Sequence, residues 1–488
     1  MNIADPFLFH AKLSPGALAI GVPGATRAMV SYGLLARMVN NVGKTALAWG
    51  LARGQVVAIH VQDKIFHAAL ILGLARVGIV TISARNTQLP KELGVHAVIT
   101  DMALPFANAG RVMVAEPDAW MLSGDDEPLA DRGLYQAGGD DICRITLTSG
   151  STGEPRGIAF SHRMAFERNA RLGLTRDLAF QVCSRFYCDL GFATDPGFRD
   201  LLRMLWKGGA IFYYGDDAEG LVQALDLYKV EGMIASPEGL AEYLKFYEAY
   251  PQARCSLNHI LTSGASLPRS LSVRVRARMG ANLSCTYGAT ETGGIAIGPA
   301  QAIENVPGAA GFVTPGAEVE IVDDAGRALP VGQEGIVRMR TPQTVRGYVG
   351  DPPESRRAFR DGWFRPGDIG RLRDDGMLII LGRETAVLNL SGDKLRPELV
   401  EDVLTALPAI EQAAAFVQTD DLGVNKLWVA LVLRASVRID EETVRQTCRE
   451  RLGPAFAPAH VLVVEGLPRN AAGKLDRAQL PALAKLNH

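Results

Sequence analysis

Apolar runs short enough to be strands alternate with longer segments of helical period through the first half of the chain, and that alternation restricts it to an α/β body. The strand-like runs are Val56 to Val61, Val95 to Thr100, Ala210 to Tyr214 and Gly232 to Ala235, with helical-period segments such as Phe66 to Val77 and Phe198 to Trp206 among them. Such an order predicts parallel-rich sheets with helices packed on them. Shorter alternating segments at Glu318 to Val322 and Gly335 to Met339, parted by the turn Asp323-Asp324-Ala325-Gly326, look antiparallel and predict a small β-rich lobe. After Arg383 the order changes again. A strand at Val387 to Leu390 precedes a helix opening near Pro397, with Leu399, Val400, Val403, Leu404 and Leu407 on one apolar stripe. Strands at Ala413 to Val417 and Leu427 to Leu433 follow, then a helix with Asp440 as N-cap and Ile439 and Val444 at staple spacing, then a strand at Val461 to Val464. This β-α-β-β-α-β order reads as a split βαβ unit. The expected division is a large multilobed N-terminal domain, residues 1–383, and a small α+β C-terminal domain, residues 384–488.

A chain of 488 residues has room for both cores. Its net charge of -2, with 21% charged residues, offers no broad basic face, so nucleic acid is not an expected partner. The wholly apolar run Ala68 to Ala75 ends at Arg76, too short for a membrane span, and the opening MNIADPFLFH lacks the basic start and cleavage pattern of a secretory signal. The cytoplasm is therefore the expected compartment. Six cysteines without a CxxC pair read as buried reduced thiols, not as a disulfide frame or zinc site.

The strongest chemical signal is the run Thr148-Ser149-Gly150-Ser151-Thr152-Gly153-Glu154-Pro155-Arg156-Gly157, placed directly after the apolar segment Ile142 to Leu147. Glycines allow close backbone approach, hydroxyls add donors and Arg156 adds fixed positive charge, a combination suited to gripping a polyphosphate. It lacks the GxxxxGK[ST] spacing of P-loop NTPases, and taken alone such a glycine and serine cluster is usually a surface connection. Downstream, Thr286-Tyr287-Gly288-Ala289-Thr290-Glu291-Thr292-Gly293-Gly294 combines an aromatic face, hydroxyls, a hard carboxylate ligand and glycines. By its residues alone Tyr287 is better read as a core tyrosine whose hydroxyl finds a partner. Three further strings complete the set: Gly362-Trp363-Phe364-Arg365-Pro366-Gly367-Asp368, Leu381-Gly382-Arg383, and Pro468-Arg469-Asn470-Ala471-Ala472-Gly473-Lys474.

Taken together, in this order and across nearly the whole chain, the five strings resemble the adenylate-forming superfamily of acyl-CoA synthetases, nonribosomal adenylation domains and luciferases. The resemblance implies ATP-dependent activation of a carboxylic acid as an acyl-adenylate, followed by transfer to a thiol, with ATP, Mg²⁺ and CoA as cofactors. It implies that the residues from Thr148 to Gly153, with Arg156 and Gly157, hold the phosphates, that Tyr287 and Gly288 face the adenine, and that Asp368 and Arg383 contact the ribose. Thr290 and Glu291 act at the α-phosphate, Glu291 as the Mg²⁺ ligand, and Lys474 stabilises the charge of the adenylation step. Thr385 occupies the hinge, and Gly392, Lys394 and Arg396 lie on the face offered to the thiol carrier. Three residues depart from the family's pattern: Arg156 where lysine is commoner, Pro366 for a usual threonine, and Thr385 for a charged hinge residue.

From the family layout the acyl pocket is expected around Phe192, Ser236, Gly264, Ala265 and Ala289. Asp189, Asp195, Arg199 and Arg203 make that approach polar; an inward arginine there suits a second substrate carboxylate. The buried stripe Phe198, Leu201, Leu202 and Leu205, however, places Arg199 and Arg203 on a different helix face. The chain ends 14 residues after Lys474 (488 minus 474), which leaves no room for a fused carrier and makes free CoA the preferred acceptor. A separate carrier protein is the alternative. A luciferase-like oxygenase shares all these motifs, and a regulatory nucleotide-binding protein without turnover is the reading outside this class.

Overall fold

The computed structural model describes residues 1–25, 27–123, 135–148, 155–175, 181–213, 218–350, 352–384, 388–390, 393–395, 397–419, 425–434, 437–453, 456–470 and 473–484, with backbone only at 218–219, 388–390, 393–395, 419 and 425. Two sheets dominate it. The first runs in the order Val112–Val114, Val95–Thr100, Val56–His60, Val80–Ser83, Ile142–Thr148, Arg156–Ser161, and every neighbouring pair is parallel except the last. The segment 149–155 therefore joins two antiparallel strands, whose register pairs Thr148 with Arg156. The second sheet has a parallel half, Asn282–Ala289, His259–Thr262, Gly232–Ala235, Arg185–Cys188, Ala210–Phe212 and Leu18–Gly21. At Asn282–Ala289 it turns antiparallel and continues through Gly293–Pro299, Ala309–Val313, Met377–Arg383, Asp368–Leu372 and Gly335–Arg340. The antiparallel half contains the β-rich lobe expected from the alternating segments.

The main core lies between the sheets. Val57, Ile59 and Ala97 of the first sheet and Ile20, Phe186, Ile211, Ile234 and Leu261 of the second belong to one buried apolar cluster, which the helices Tyr32–Ala48, Lys64–Arg76 and Asp195–Trp206 fill. Burial on all sides explains why Ile65 to Ala75 is apolar almost without interruption: a helix sandwiched between sheets has no solvent face to keep polar. The same position corrects the reading of Asp195–Trp206. Arg199 is only 8% exposed, and Arg203 and Asp200 are also enclosed, because both faces of this helix are covered. The arginines are not a solvated face; Arg199 pairs with Asp195 at 3.0 Å and Arg203 with Asp200 at 2.7 Å.

The C-terminal part folds around Ile410–Thr419, Asn425–Leu433 and His460–Val463, the first pair antiparallel and the second parallel. Helices Pro397–Thr405 and Glu441–Leu452 pack on it through Val400, Leu404, Val444 and Cys448. Two details differ from the sequence reading. Leu388–Leu390 pairs with Asp393–Leu395 in a separate hairpin instead of joining the three-stranded sheet. Asp440 does occupy the N-cap in extended conformation, but its side chain makes no capping bond. All six cysteines are free thiols. Among the described residues no helix is long and apolar enough to cross a membrane.

Candidate active site

The string containing Thr290 and Glu291 folds as the tip of a hairpin. Its strands are Asn282–Ala289 and Gly293–Pro299, with Ala289 opposite Gly293. The residue that closes the tip, directly after Thr290, Glu291 and Thr292, is left-handed and so favours glycine: Gly293 has φ 77°. Gly288 is required for a different reason: a Cβ there would lie 2.2 Å from the Gly293 carbonyl oxygen. The tight tip projects Glu291 into the interior, where it is 6% exposed.

Arg168, from the helix His162–Thr175, supports this tip from behind. Its Nη1 donates to the carbonyl of Thr290 (2.9 Å), and its Nη2 donates to those of Glu291 (3.3 Å) and Gln343 (3.1 Å), while Asp195 pairs with Nη1 at 3.4 Å. On the side-chain end, the Tyr348 hydroxyl donates to Glu291 Oε1 at 2.9 Å. The Arg156 guanidinium lies 5.2 Å from the centre of the Tyr348 ring. Burial pushes the Glu291 carboxyl above its ordinary pKa, and the Tyr348 hydrogen bond, Arg168 and Arg156 oppose that rise. Glu291 supplies a hard carboxylate donor, which fits Mg²⁺ shared between a carboxylate and phosphate oxygens.

A second carboxylate lies beside the first site. Asp368 opens the strand Asp368–Leu372, is 5% exposed, and faces Arg383 across the ladder. Arg383 Nε contacts Asp368 Oδ1 at 3.0 Å, and the Tyr287 hydroxyl donates to Oδ2 at 2.5 Å. The tyrosine is thus tied to the expected ribose carboxylate, and burial raises its pKa well above the ordinary value. Pro366 contributes through its carbonyl, which accepts from Arg383 Nη1 at 2.5 Å. This departure therefore loses a side-chain hydroxyl but keeps a main-chain acceptor that holds Arg383.

Lys474 comes from the other end of the chain. Its loop is a tight hairpin: Asn470 N donates to Lys474 O (2.8 Å), Gly473 N to Asn470 O (2.8 Å) and Lys474 N to Asn470 Oδ1 (3.1 Å), while Arg469 bridges Leu475. Arg469 also donates to the Gly473 carbonyl at 2.9 Å and pairs with Glu238 at 3.2 Å, which docks the loop on the N-terminal part. Although Lys474 as a residue remains exposed, enough of the protein surrounds its end that burial is the largest influence and lowers its pKa. Arg383 acts in the same direction, and Asp368 and Glu291 act against it. One cationic end thus lies in the field of both carboxylates.

Among the remaining expected residues, Thr148 sits at the strand end, where Oγ1 meets the Arg156 carbonyl at 3.5 Å, and Gly157 is buried in the next strand. Ser149, Gly150, Ser151, Thr152, Gly153, Thr385, Gly392 and Arg396 lie outside the described residues, and Lys394 is described by its backbone alone. The expected acyl residues take different places in the fold. Phe192 is a core ring packed on His67 and Tyr213, Ser236 caps the helix Pro237–Ala249 through Gly239 N at 3.1 Å, and Gly264 and Ala265 are exposed. Asp189 accepts from the hydroxyls of Tyr187 and Tyr243. A cavity opens elsewhere, lined by Arg171, Leu172, Thr175, Arg199, Leu261, Thr286, Gly294, Ile297 and Thr314. Neither Phe192, Ser236, Gly264, Ala265 nor Ala289 lines it. Arg168, Arg171 and Tyr348 are the residues sequence reasoning missed; they belong to no short string, and each reaches the site from a different stretch of chain or helix turn.

Residues 9–349 match the AMP-binding enzyme family, and residues 399–474 match the AMP-binding enzyme C-terminal domain. The chain belongs to the AMP-binding enzyme family. Within it, the 3-hydroxybenzoate–CoA ligase of Aromatoleum sp. is 27% identical, with 99% of this chain and 97% of that protein aligned. The medium-chain fatty-acid–CoA ligase of Escherichia coli is 28% identical over 70% of this chain, an alignment that spans 60% of that relative's length. The anthranilate CoA ligase AuaEII, solved in complex with anthranoyl-AMP, shares the fold with a TM-score of 0.85 at 20% identity, over 100% of this chain and 98% of that one.

Proposed function

We propose that this AMP-binding enzyme is an acid–thiol ligase that joins a carboxylic acid to CoA with conversion of ATP to AMP and pyrophosphate. The observation that carries the reading is the docking of the C-terminal loop on the N-terminal part through Arg469 and Glu238 at 3.2 Å, which brings Lys474 into the field of Glu291 and Asp368. These residues belong to strings that are far apart in sequence, and a solvated surface lysine would not be drawn into the field of two enclosed carboxylates. CoA-ligase relatives that align along most of the chain support the same activity.

In the first half-reaction a carboxylate oxygen of the acid attacks the α-phosphorus of ATP, and the bond to the bridging oxygen breaks as pyrophosphate leaves. The Lys474 ammonium faces the oxygens on which negative charge builds, and Thr290, at the hairpin tip, is placed to donate to the α-phosphate. Mg²⁺ held by Glu291 and phosphate oxygens would offset charge on the departing pyrophosphate. Asp368 accepts the ribose hydroxyls, with Arg383 and Tyr287 fixing its orientation, while Thr148, Arg156 and the intervening loop grip the pyrophosphate end. In the second half-reaction the thiolate sulfur attacks the acyl carbon and AMP departs with the bonding electrons. Lys474 must leave the site for this step, by rotation of residues 384–488 about Thr385, which presents Gly392 and Lys394 to the pantetheine arm. The six free thiols support a reducing, cytoplasmic setting.

The test is AMP formation across a panel of carboxylic acids with and without CoA. Stimulation by CoA with an acyl-CoA product is the expected result. An adenylate that accumulates regardless of CoA, and discharges onto a phosphopantetheinylated carrier, points to carrier loading, and absence of turnover with every acid points to a nucleotide-binding regulator.

A further inference from the structure

The cavity beside the reactive hairpin carries more positive charge than its surroundings balance. Arg168 and Arg199 share a single carboxylate, Asp195, at 3.4 and 3.0 Å. Arg171 has no carboxylate among the described residues; its Nη1 donates to Thr314 Oγ1 at 3.3 Å and its Nη2 to the Gly294 carbonyl at 2.5 Å, both neutral. Burial and the neighbouring Arg168 and Arg199 draw its pKa down to about 10. Arg199 Nε is buried without a hydrogen-bond partner. Arg168 is consumed in bracing the hairpin, but Arg171 and Arg199 both line the cavity. An enclosed guanidinium satisfied only by neutral acceptors, as Arg171 is, is costly, and a ligand anion is the missing counter-charge.

The position of the cavity ties this charge to the substrate. Thr286 and Gly294 belong to the two strands of the hairpin whose tip carries Thr290 and Glu291. Thr286 alternates with Tyr287, so it faces away from the Tyr287 side, which holds Asp368. An acid with its reacting carboxylate at the tip would therefore extend its tail along the opposite face of the hairpin, into the cavity. The cavity measures about 380 Å³ with its open mouth, and the space inside it open to the centre of a water-sized group is about 20 Å³, enough for about one such group. A long acyl chain has no room in the enclosed part.

We propose that the acid activated here is a compact dicarboxylate whose second carboxylate is seated between Arg171 and Arg199. The inference rests on the ligase reading. It is tested by pyrophosphate release from matched pairs that differ in one carboxylate: succinate against butyrate, glutarate against valerate, isophthalate against 3-methylbenzoate. In each favoured pair the diacid is expected to exceed the monoacid in kcat/KM by about ten- to a hundredfold, the range of one or two charge-assisted hydrogen bonds. Arg171→Met should collapse that ratio towards one, whatever it does to absolute rates, and Arg171→Lys should retain most of it. Titration calorimetry of the same diacids against protein saturated with a non-hydrolysable ATP analogue gives a second readout independent of turnover. Monoacids turned over as well as their diacids, or a ratio unmoved by Arg171→Met, overturn the dicarboxylate assignment and leave the ligase intact. No release with any acid from folded, ATP-binding protein removes the ligase reading and this inference with it.

Discussion

Arg168→Met tests whether the hairpin tip is positioned from behind. The substitution keeps the bulk of the side chain and removes every donor. Asp195 keeps its 3.0 Å pair with Arg199, so the loss falls mainly on the carbonyls of Thr290, Glu291 and Gln343, each of which had a cationic donor. Hydrogen bonds to charged groups contribute about 1.5–3 kcal/mol each, but relief from burying a guanidinium offsets part of the sum, leaving a net loss of about 3 kcal/mol. The unfolding transition of the N-terminal part should fall by several degrees in calorimetry. The functional effect should be larger than stability alone gives, because a residue that orients a metal ligand typically changes metal affinity or activity about 10- to 100-fold. KM for MgATP should rise by that factor in steady-state assays well below the melting transition. A lower transition with KM within about twofold of wild type would refute the bracing role, and so would a variant unchanged in both.

Lys474→Ala should lower acid-dependent pyrophosphate release about 10²- to 10³-fold, the range for removing one stabilising donor, yet still convert a preformed acyl-adenylate to thioester; equal losses in both halves would contradict its assignment. Because burial lowers the Lys474 pKa, the alkaline limb of adenylation in the wild-type enzyme should fall below the 10.5 of an ordinary lysine. Tyr348→Phe removes a hydrogen bond that holds the Glu291 pKa down, so the carboxylate should be lost at higher pH as acid is added and the acid limb of Mg²⁺-dependent activity should move upward. Glu238→Gln breaks a partly exposed pair worth about 0.2–1 kcal/mol, so adenylation should slow by at most about fivefold, with the difference vanishing in 1 M salt, where the pair is screened.

What could be read from the sequence was whatever a short stretch holds by itself. Tyr287, Glu291 and Asp368 sit in strings whose turn geometry demands their glycines, so both the chemistry and the local fold were visible together. Arg168 and Tyr348 reach the same carboxylate from separate segments, and nothing in their neighbours signals it. Arg199 was misjudged for a related reason: an apolar stripe identifies one buried face, but only tertiary packing reveals that the opposite face is also covered. The strand at Leu388–Leu390 is visible in the sequence but its pairing with Asp393–Leu395 is not, since pattern alone does not choose between a local hairpin and a sheet several elements away.

The position of Arg156 over the Tyr348 ring ties the phosphate loop's one unusual residue to a side chain almost two hundred positions later. A planar guanidinium can lie over an aromatic ring and still donate sideways, whereas an ammonium concentrates its charge at one point. Replacing Arg156 by lysine would therefore change the contact of the same ring whose hydroxyl holds Glu291. A transplant of this nucleotide loop into a relative should therefore carry Tyr348 along with Arg156.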